Sequence, residues 1–319
     1  MTFTPIRAIL GGALIGLAAF WNARLNGLVT GVAGTLNSCL TLNQYAMSFV
    51  AGLISSTYLL QQLVDAFPDE DVLSLVSPNR LILSAILVGA GTRIGNGCTS
   101  GHGVCGLARL SFRSFVAVLT FIVVAMIVAT LYPPANFVQK EMPPELSVPR
   151  LAVLLTLSLA VPPLFALLRA SVAVRFSLGI IFGAGLIISG MWHPTKTLGF
   201  LRLPVPLPAP FEKTQAWDPS LLFVFVGALP VAFAGFQPIL RGIKPLLAEK
   251  HSFPTVTNID ARLLLGSSMF GAGWGMIGVC PGPALVYGGR FPGVSVLMFL
   301  LSMLGGSLSA QVLLETIGV

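Results

Sequence analysis

Long apolar segments recur along the whole chain and are separated by short polar connections. A helix needs about 20 apolar residues to cross the hydrocarbon core of a bilayer, and most of the segments approach that length. Only 9% of the residues are charged, too few to cover a water-facing surface. The pattern predicts an all-α integral membrane protein, a single polytopic domain over residues 1–319, with about nine transmembrane helices near residues 7–22, 42–60, 80–96, 112–131, 150–168, 175–191, 220–239, 260–279 and 293–315.

Three of these segments, the first, third and sixth, are short and rich in glycine. Each runs directly into sequence that is rich in glycine and proline. Non-helical backbone at membrane depth is tolerated only where it is buried in protein or lines a cavity. We therefore expect interrupted helices and re-entrant loops that meet at a central site.

The chain also contains an internal repeat. The stretch "RLILSAILVGAGTRIGNGC" at 80–98 aligns without gaps with "RLLLGSSMFGAGWGMIGVC" at 262–280, and seven of nineteen positions are identical. The first and sixth segments share a glycine pattern as well. Matched segments lie an odd number of crossings apart, so we predict two inverted repeats, about 5–135 and 172–319, connected by the segment 149–168. We expect the proline-rich stretch 203–219 to be an interfacial loop.

Two of the four cysteines occupy the same position in the repeat. Cys98 and Cys280 each end a glycine-rich segment, and each is followed by turn-forming sequence, "TSGHG" or "PGP". We expect the two thiols to approach the central axis from opposite faces. Cys39 and Cys105 have no counterparts in the repeat, and cysteine is often a small buried residue. They are weaker candidates for the site.

Cys98, His102 and Cys105 are residue types that bind zinc. They supply only three ligands from one loop and leave Cys280 without a role, so a metal site is the less favoured interpretation. No Cys-x-x-Cys pair or cofactor fingerprint occurs. We therefore predict no metal and no cofactor, and we expect His102 to be a hydrogen-bonding strut within the loop.

Glycines in the transmembrane segments are expected mainly to allow close helix packing. Next to the two cysteines they also permit backbone N–H groups to approach a ligand. A helix that restarts after either cysteine would point its positive end at the cavity. Besides the cysteines, the predicted substrate contacts are therefore Gly97, Thr99, Ser100, Gly101, His102, Pro281 and Gly282.

Few ionisable side chains fall near membrane depth. Arg93 lies inside the third segment and is either a structural strut or an attractor of anions. Arg80 and Arg262 begin their segments, and we expect them to extend towards the headgroups. Lys196 follows a proline after the sixth segment, and we expect a cytosolic-face or loop lysine there, with a contact to the substrate as the weaker alternative.

The motifs "GNGCTSGHGVCG" and "GAGWGMIGVCPGPAL", with "GLIISGMWHPTKTLGFL" and "LNGLVTGVAG", resemble the YeeE/YedE family of sulfur-compound transporters. The resemblance implies an inverted-repeat membrane protein that takes up thiosulfate past cysteines at a central constriction. Cys98 and Cys280 match two of those cysteines. Where members of the family carry a further cysteine, this chain has Asn26 and Gly27, which become candidate contacts, with Cys39 as a candidate source of the third thiol.

The predicted function is transport of thiosulfate or a closely related sulfur anion, without catalysis. Thiosulfate is a dianion with one soft terminal sulfur, so polarizable thiols and diffuse positive dipoles would bind it weakly enough to release it. One alternative is a membrane-bound sulfur-handling protein of the persulfide or sulfurtransferase type, in which Cys98 accepts sulfur and Cys280 resolves the adduct. Another is a channel for a different small anion.

The cationic residues predict location and partners. The net charge of +7 arises from Lys and Arg spread over short connections, so the expected partner is the lipid bilayer and not nucleic acid. A cytosolic sulfurtransferase that receives the cargo is a further candidate partner, for which the sequence itself carries no signal. We predict the plasma (bacterial inner) membrane. The N-terminus is placed outside and the C-terminus inside, because this puts nine cations in the cytoplasm: Arg24, Arg109, Arg113, Arg169, Arg175, Arg241, Lys244, Lys250 and Arg262.

Overall fold

The computed structural model describes residues 3–61, 71–133, 148–203 and 217–318. Within these ranges the chain is helical and forms no β-strand, which confirms the predicted all-α fold. The α-helices there are α1 (Pro5–Trp21), α2 (Val32–Cys39), α3 (Gln44–Gln61), α4 (Pro78–Ile94), α5 (Phe112–Leu131), α6 (Val148–Leu167), α7 (Ser171–Ser189), α8 (Pro194–Leu201), α9 (Leu222–Leu240), α10 (Ala261–Ile277), α11 (Pro281–Arg290) and α12 (Val294–Thr316).

Each predicted transmembrane segment coincides with a long helix, and three short helices were missed: α2, α8 and α11. Seven helical stretches of the described ranges are long and apolar enough to cross a membrane, or eight if α4 and the bent segment Thr99–Gly106 form one span. Helix α3 is not among them, since serine, threonine and glutamine lower its hydropathy. The number of crossings and the inverted orientation therefore stay predictions.

Proline and glycine set many of the helix ends. Helices α1, α4, α8 and α11 carry proline at the start, where the missing N–H costs no helical hydrogen bond. Helices α7 and α10 end at Gly190 and Gly278, whose φ angles of 79° and 74° are left-handed. Side chains other than glycine are strained there.

Glycines at the helix crossings allow the backbones to touch. A Cβ on Gly12 of α1 would lie 2.2 Å from the Val224 carbonyl oxygen of α9, and one on Gly275 of α10 would lie 2.5 Å from that of Ala125 in α5. This confirms the predicted packing role of the glycines in those segments.

The main helix contacts fall into corresponding pairs. Helix α1 packs on α9 and α7, while α3 packs on α7. Helix α4 packs on α12 and α10, while α5 packs on α10. If α1–α5 corresponds to α7–α12, the α1·α9 contact corresponds to α7·α3, and α4·α12 corresponds to α10·α5. Helix α6 stands outside this pairing.

Two expectations about cations are wrong. Lys196 is not an exposed loop lysine: it lies fully buried in α8, with its Nζ 2.5 Å from Asp218 Oδ2 and donating to Thr4 Oγ1 at 2.9 Å. Arg80 does not extend freely towards the headgroups, because it donates to the carbonyl oxygens of Met276 and Tyr132 at the ends of α10 and α5. Helix ends leave carbonyls unpaired, and Arg80 satisfies them. Most of the proline-rich stretch, 204–216, lies outside the described residues.

Candidate functional site

Cys98 and Cys280 occupy the same backbone turn in different parts of the chain. Two residues earlier, Asn96 and Gly278 take left-handed φ angles of 57° and 74°, which end α4 and α10. Cys98 (φ −129°, ψ −169°) and Cys280 (φ −128°, ψ 173°) then extend the backbone before a new helical segment begins. Asparagine and glycine tolerate the left-handed conformation best, so both sequences make the same break.

The two cysteines line one cavity. Both are buried, at 2% and 3% exposure. Thr99 Oγ1 lies 3.6 Å from Cys280 Sγ, and Cys98 Sγ lies 3.2 Å from Ser100 Oγ. The cavity thus joins residues that are far apart in sequence.

This cavity, the thiol chamber, has a volume of about 50 Å³. Its few polar groups come from Cys98, Thr99, Ser100 and Cys280, and Gly282 adds backbone. Every other lining side chain is apolar: Ile15, Val32, Val104, Phe121, Ile122, Phe182, Leu186, Met191, Phe200, Leu221, Val224, Phe225, Trp274 and Pro283. The chamber has room for little more than a small ion or a few waters.

A second, larger cavity of about 470 Å³ borders the same loop, and we call it the arginine vestibule. Gly97, Gly101 and His102 line it, whereas Cys98, Thr99 and Ser100 line the thiol chamber. Exposed Asn43 and Pro254 lie on its rim. Its other lining residues are Leu28, Val29, Gly31, Ala33, Gly34, Thr35, Asn37, Ser38, Tyr45, Ala46, Thr92, Arg93, Asn96, Arg109, Ser111, Arg113, Ser114, Arg175 and Val256.

Three vestibule arginines, Arg109, Arg113 and Arg175, were predicted only as orienting cations. The sequence places them in separate connections and at separate helix starts, and only the fold brings them to one cavity. Arg175 lies inside an apolar segment, which was the one available signal.

His102 is a strut, as predicted. Its Nε2 is 3.1 Å from the Gly95 carbonyl oxygen, and its Nδ1 is 3.0 Å from Ser114 Oγ. A Cβ on Gly97 would lie 2.6 Å from the imidazole, so glycine is needed for the ring to fit. With both ring nitrogens engaged, His102 offers no free metal ligand. Among the described residues no group of three His, Cys, Asp or Glu is arranged to hold a metal.

The other cysteines lie outside both cavities. Cys105 is fully buried and accepts a hydrogen bond from the Thr30 backbone N–H at 3.3 Å. It ties the loop before α2 to the segment after Cys98. Cys39 ends α2, and its Sγ is 3.4 Å from the Thr35 carbonyl oxygen. Neither thiol lines the thiol chamber.

Some predicted contacts are not brought to either cavity. Asn26 Nδ2 donates to Asn22 Oδ1 at 3.1 Å, and Gly27 ends that turn with a φ angle of 66°. Pro281 is the first residue of α11 and Lys196 lies in its own buried ion pair. Arg93, by contrast, lines the vestibule.

Comparisons with known proteins give family matches to both halves of the chain. A family model described as sulphur transport matches residues 4–127, and a model of a family of unknown function matches residues 170–318. A protein named "Probable transporter" from Xylella fastidiosa (strain Temecula1) is 40% identical over 142 residues, which is 44% of this chain and 88% of the relative. Another, from strain 9a5c, is 40% identical over 133 residues, 42% of this chain and 84% of the relative.

The chain belongs to the YeeE/YedE family of sulphur transport proteins. This confirms the resemblance of its cysteine motifs. As a YeeE/YedE protein with apolar spanning helices, it is an integral membrane transporter for sulfur compounds. No solved structure matches the chain.

Proposed function

We propose that this YeeE/YedE protein takes up thiosulfate, or a closely related sulfur anion, along a path through the thiol chamber, with Cys98 and Cys280 as successive contacts. The observation that carries the proposal is the convergence of two equivalent cysteines on one cavity, where Thr99 touches the thiol of Cys280. The substrate's soft sulfur meets the thiols, and its charged end stays near the backbone and the vestibule.

The chemistry of the chamber favours weak binding. Thiols are polarizable and are weak hydrogen-bond donors, so they interact with sulfur without holding a dianion permanently. No carboxylate lines either cavity within the described residues, and none there repels an anion. Helix α11 begins directly after Cys280, so its positive end lies beside the thiol.

We also propose that the protein is a transporter and not an enzyme. A persulfide mechanism needs a thiolate nucleophile, and apart from the two thiols the described lining of the chamber offers only the hydroxyls of Thr99 and Ser100 and apolar side chains. The chamber also lacks, among the described residues, an acid, a base or an arginine that would activate a thiol. A neutral thiol suits passage of an anion better than attack on it.

The two halves, about 5–135 and 172–319, are proposed as inverted repeats joined by α6. The corresponding helix contacts support this division. The two family matches also support it, because they lie on either side of α6. So do the lengths of the relatives, since less than half of this chain is enough to cover nearly the whole of such a relative.

In the bacterial inner membrane the proposed orientation has the N-terminus outside. Arg109, Arg113 and Arg175 then face the cytoplasm, and so does the vestibule that they line. Thiosulfate would leave the chamber into the vestibule, from which a cytosolic sulfurtransferase would receive it.

Uptake of radiolabelled thiosulfate into proteoliposomes tests the proposal. Cys98→Ala and Cys280→Ala are expected to lower uptake at least about fivefold, since each loses a contact worth roughly 1 kcal/mol. Cys39→Ala is the matched control, because that thiol lies outside both cavities, and it should transport as the wild type does. Uptake at the wild-type rate by both chamber variants would falsify the cysteine path.

A further inference from the structure

We propose that the arginine vestibule contains a binding site for small divalent oxyanions, formed by Arg93 and Arg175 above a floor of glycines. The site rests on the proposed function in one respect: it is where the charged end of the transported anion lies next to the thiols. It implies that the charge of the anion is bound and its sulfur is selected at different places. The vestibule accepts sulfate and thiosulfate alike, and only the thiols discriminate between them.

The vestibule carries positive charge that no carboxylate among its described lining residues compensates. Four arginines line it, and no Asp or Glu does so within the described residues. Arg113 pairs with Asp260 at 3.3 Å. Arg109 donates to the Pro254 carbonyl oxygen at 3.0 Å and lies over the Phe253 ring at 5.7 Å. These two guanidinium groups therefore already have partners.

Arg93 and Arg175 differ from them. Neither forms a hydrogen bond or an ion pair with a described residue, and the Nε of Arg175 is buried without a partner. Both belong to helices of the membrane domain, α4 and α7. Ionisable side chains within membrane-spanning helices are costly, and they usually serve an ion path or have a partner. Two such side chains facing one cavity are therefore suited to an anion.

Arg93 is not required by the repeated fold. The equivalent position in the second repeat is Gly275, where a Cβ would lie 2.5 Å from the Ala125 carbonyl oxygen. One half of the chain thus fills this position with helix packing, while the other half places a cation at a cavity. This difference between the two repeats points to a ligand beside Arg93, in the first repeat only.

The floor of the vestibule gives an independent indication. A Cβ on Gly31, Gly34 or Gly101 would meet no atom within 4 Å. None of the three has a positive φ angle, so neither packing nor backbone geometry demands glycine there. Their common effect is to leave the space beside them in the vestibule open.

The residue types and the space define the ligand. Guanidinium groups bind oxyanions through paired N–H donors, and two of them match a divalent charge. The volume of about 470 Å³ admits a tetrahedral oxyanion together with several waters. The site is wide enough to bind the ion hydrated, which explains why it would not distinguish sulfate from thiosulfate.

Calorimetric titration of the purified protein in nanodiscs with sodium sulfate and with sodium thiosulfate tests the site. The wild type should bind both ions with similar Kd. Arg93→Gln/Arg175→Gln should raise the Kd for sulfate at least tenfold, about 1.4 kcal/mol. Arg241→Gln is the matched control, an exposed arginine outside both cavities, and should bind as the wild type does.

Two further variants separate the possible outcomes. Arg93→Lys/Arg175→Lys keeps the charge and should regain part of the affinity, which distinguishes lost binding from lost folding. Cys98→Ala/Cys280→Ala should bind sulfate normally, even if it transports nothing. Sulfate binding that is absent from the wild type, or unchanged in Arg93→Gln/Arg175→Gln, overturns the site. Normal transport by the cysteine variant overturns only the proposed thiol path.

Discussion

The thiol chamber and the arginine vestibule lie on the two sides of one loop, and their surfaces are opposite in character. The chamber is small and apolar, and its polar atoms are those of Cys98, Thr99, Ser100 and Cys280. The vestibule is about nine times larger, at about 470 Å³ against 50 Å³, and carries four arginines. Cys98, Thr99 and Ser100 of the loop line the chamber, and Gly97, Gly101 and His102 on either side of them line the vestibule.

The difference teaches how a membrane protein can bind an anion along a path without retaining it. Permanent charges at the narrowest point would bind a dianion too tightly for rapid release. Here the permanent charges lie in a wide cavity, while the narrow cavity offers thiols and hydroxyls. In the proposed path, the arginines bind the charge of the anion in one region and the thiols select its sulfur in the other.

The largest effect is expected at Lys196, because this buried cation has a carboxylate partner, whereas Arg93 and Arg175 have none among the described residues. Lys196→Met should lower the free energy of unfolding by about 3–5 kcal/mol, since it leaves Asp218 buried without its counter-ion. Thermal or denaturant unfolding in detergent measures the loss. Arg93→Gln should cost far less, because that arginine has no such partner to strand.

The double variant Lys196→Met/Asp218→Leu is the control, and it should regain most of the stability. A Lys196→Met protein as stable as the wild type would contradict the distinction between structural and ligand-directed cations.

The loop itself offers a matched pair of glycines. Gly97→Ala places a methyl group 2.6 Å from the His102 imidazole and should destabilise the protein by about 1–3 kcal/mol. Gly101→Ala meets no atom and should leave the unfolding free energy unchanged. Equal melting temperatures for the two variants would show that the His102 strut does not hold the loop.

Thr99 gives a smaller effect, confined to the chamber. Thr99→Val keeps the shape but removes the hydroxyl beside Cys280, a contact worth about 1 kcal/mol. Thiosulfate uptake should fall about fivefold, while sulfate binding in the vestibule stays unchanged. Thr99→Ser is the conservative control. If Thr99→Val also weakens sulfate binding, the two regions are not independent.

Asp260 gives the smallest expected effect, at the edge of the vestibule. It caps α10 by accepting from the Leu263 backbone N–H, and this hydrogen bond, aided by Arg113, holds the pKa of Asp260 below its ordinary value. A carboxyl group whose pKa is lower in the folded than in the unfolded state stabilises the fold at pH values above the ordinary pKa of aspartate. This stabilisation is lost as the pH falls through the folded-state pKa.

Asp260→Ala should therefore cost about 1 kcal/mol at neutral pH and progressively less in acid, as followed by unfolding at several pH values. A cost that is the same at every pH would mean that the charge of Asp260 makes no contribution.

The sequence alone was sufficient to predict the features that recur along the chain. The apolar segments located every long helix, and the aligned motifs singled out Cys98 and Cys280, which share a backbone turn in the structure. These features depend on local composition and spacing, which a single sequence contains.

Features that depend on distant residues were not predictable. Lys196 was expected at a surface because Asp218 comes 22 residues later, beyond a proline-rich stretch. Arg175 joins Arg93 only because the fold brings residues of α7 and α4 to one cavity. The short helices α2, α8 and α11 contain too few residues for an apolar period to be recognised.

Site-resolved alkylation of the cysteines tests the central claim most directly. A small thiol reagent is added to the protein in membranes with thiosulfate, with sulfate or with neither, and mass spectrometry gives the rate at each cysteine. If the thiols contact the substrate, thiosulfate slows labelling of Cys98 and Cys280, sulfate does so far less, and Cys39 reacts equally in all three. Identical rates at Cys98 and Cys280 with and without thiosulfate would contradict a thiol-lined path.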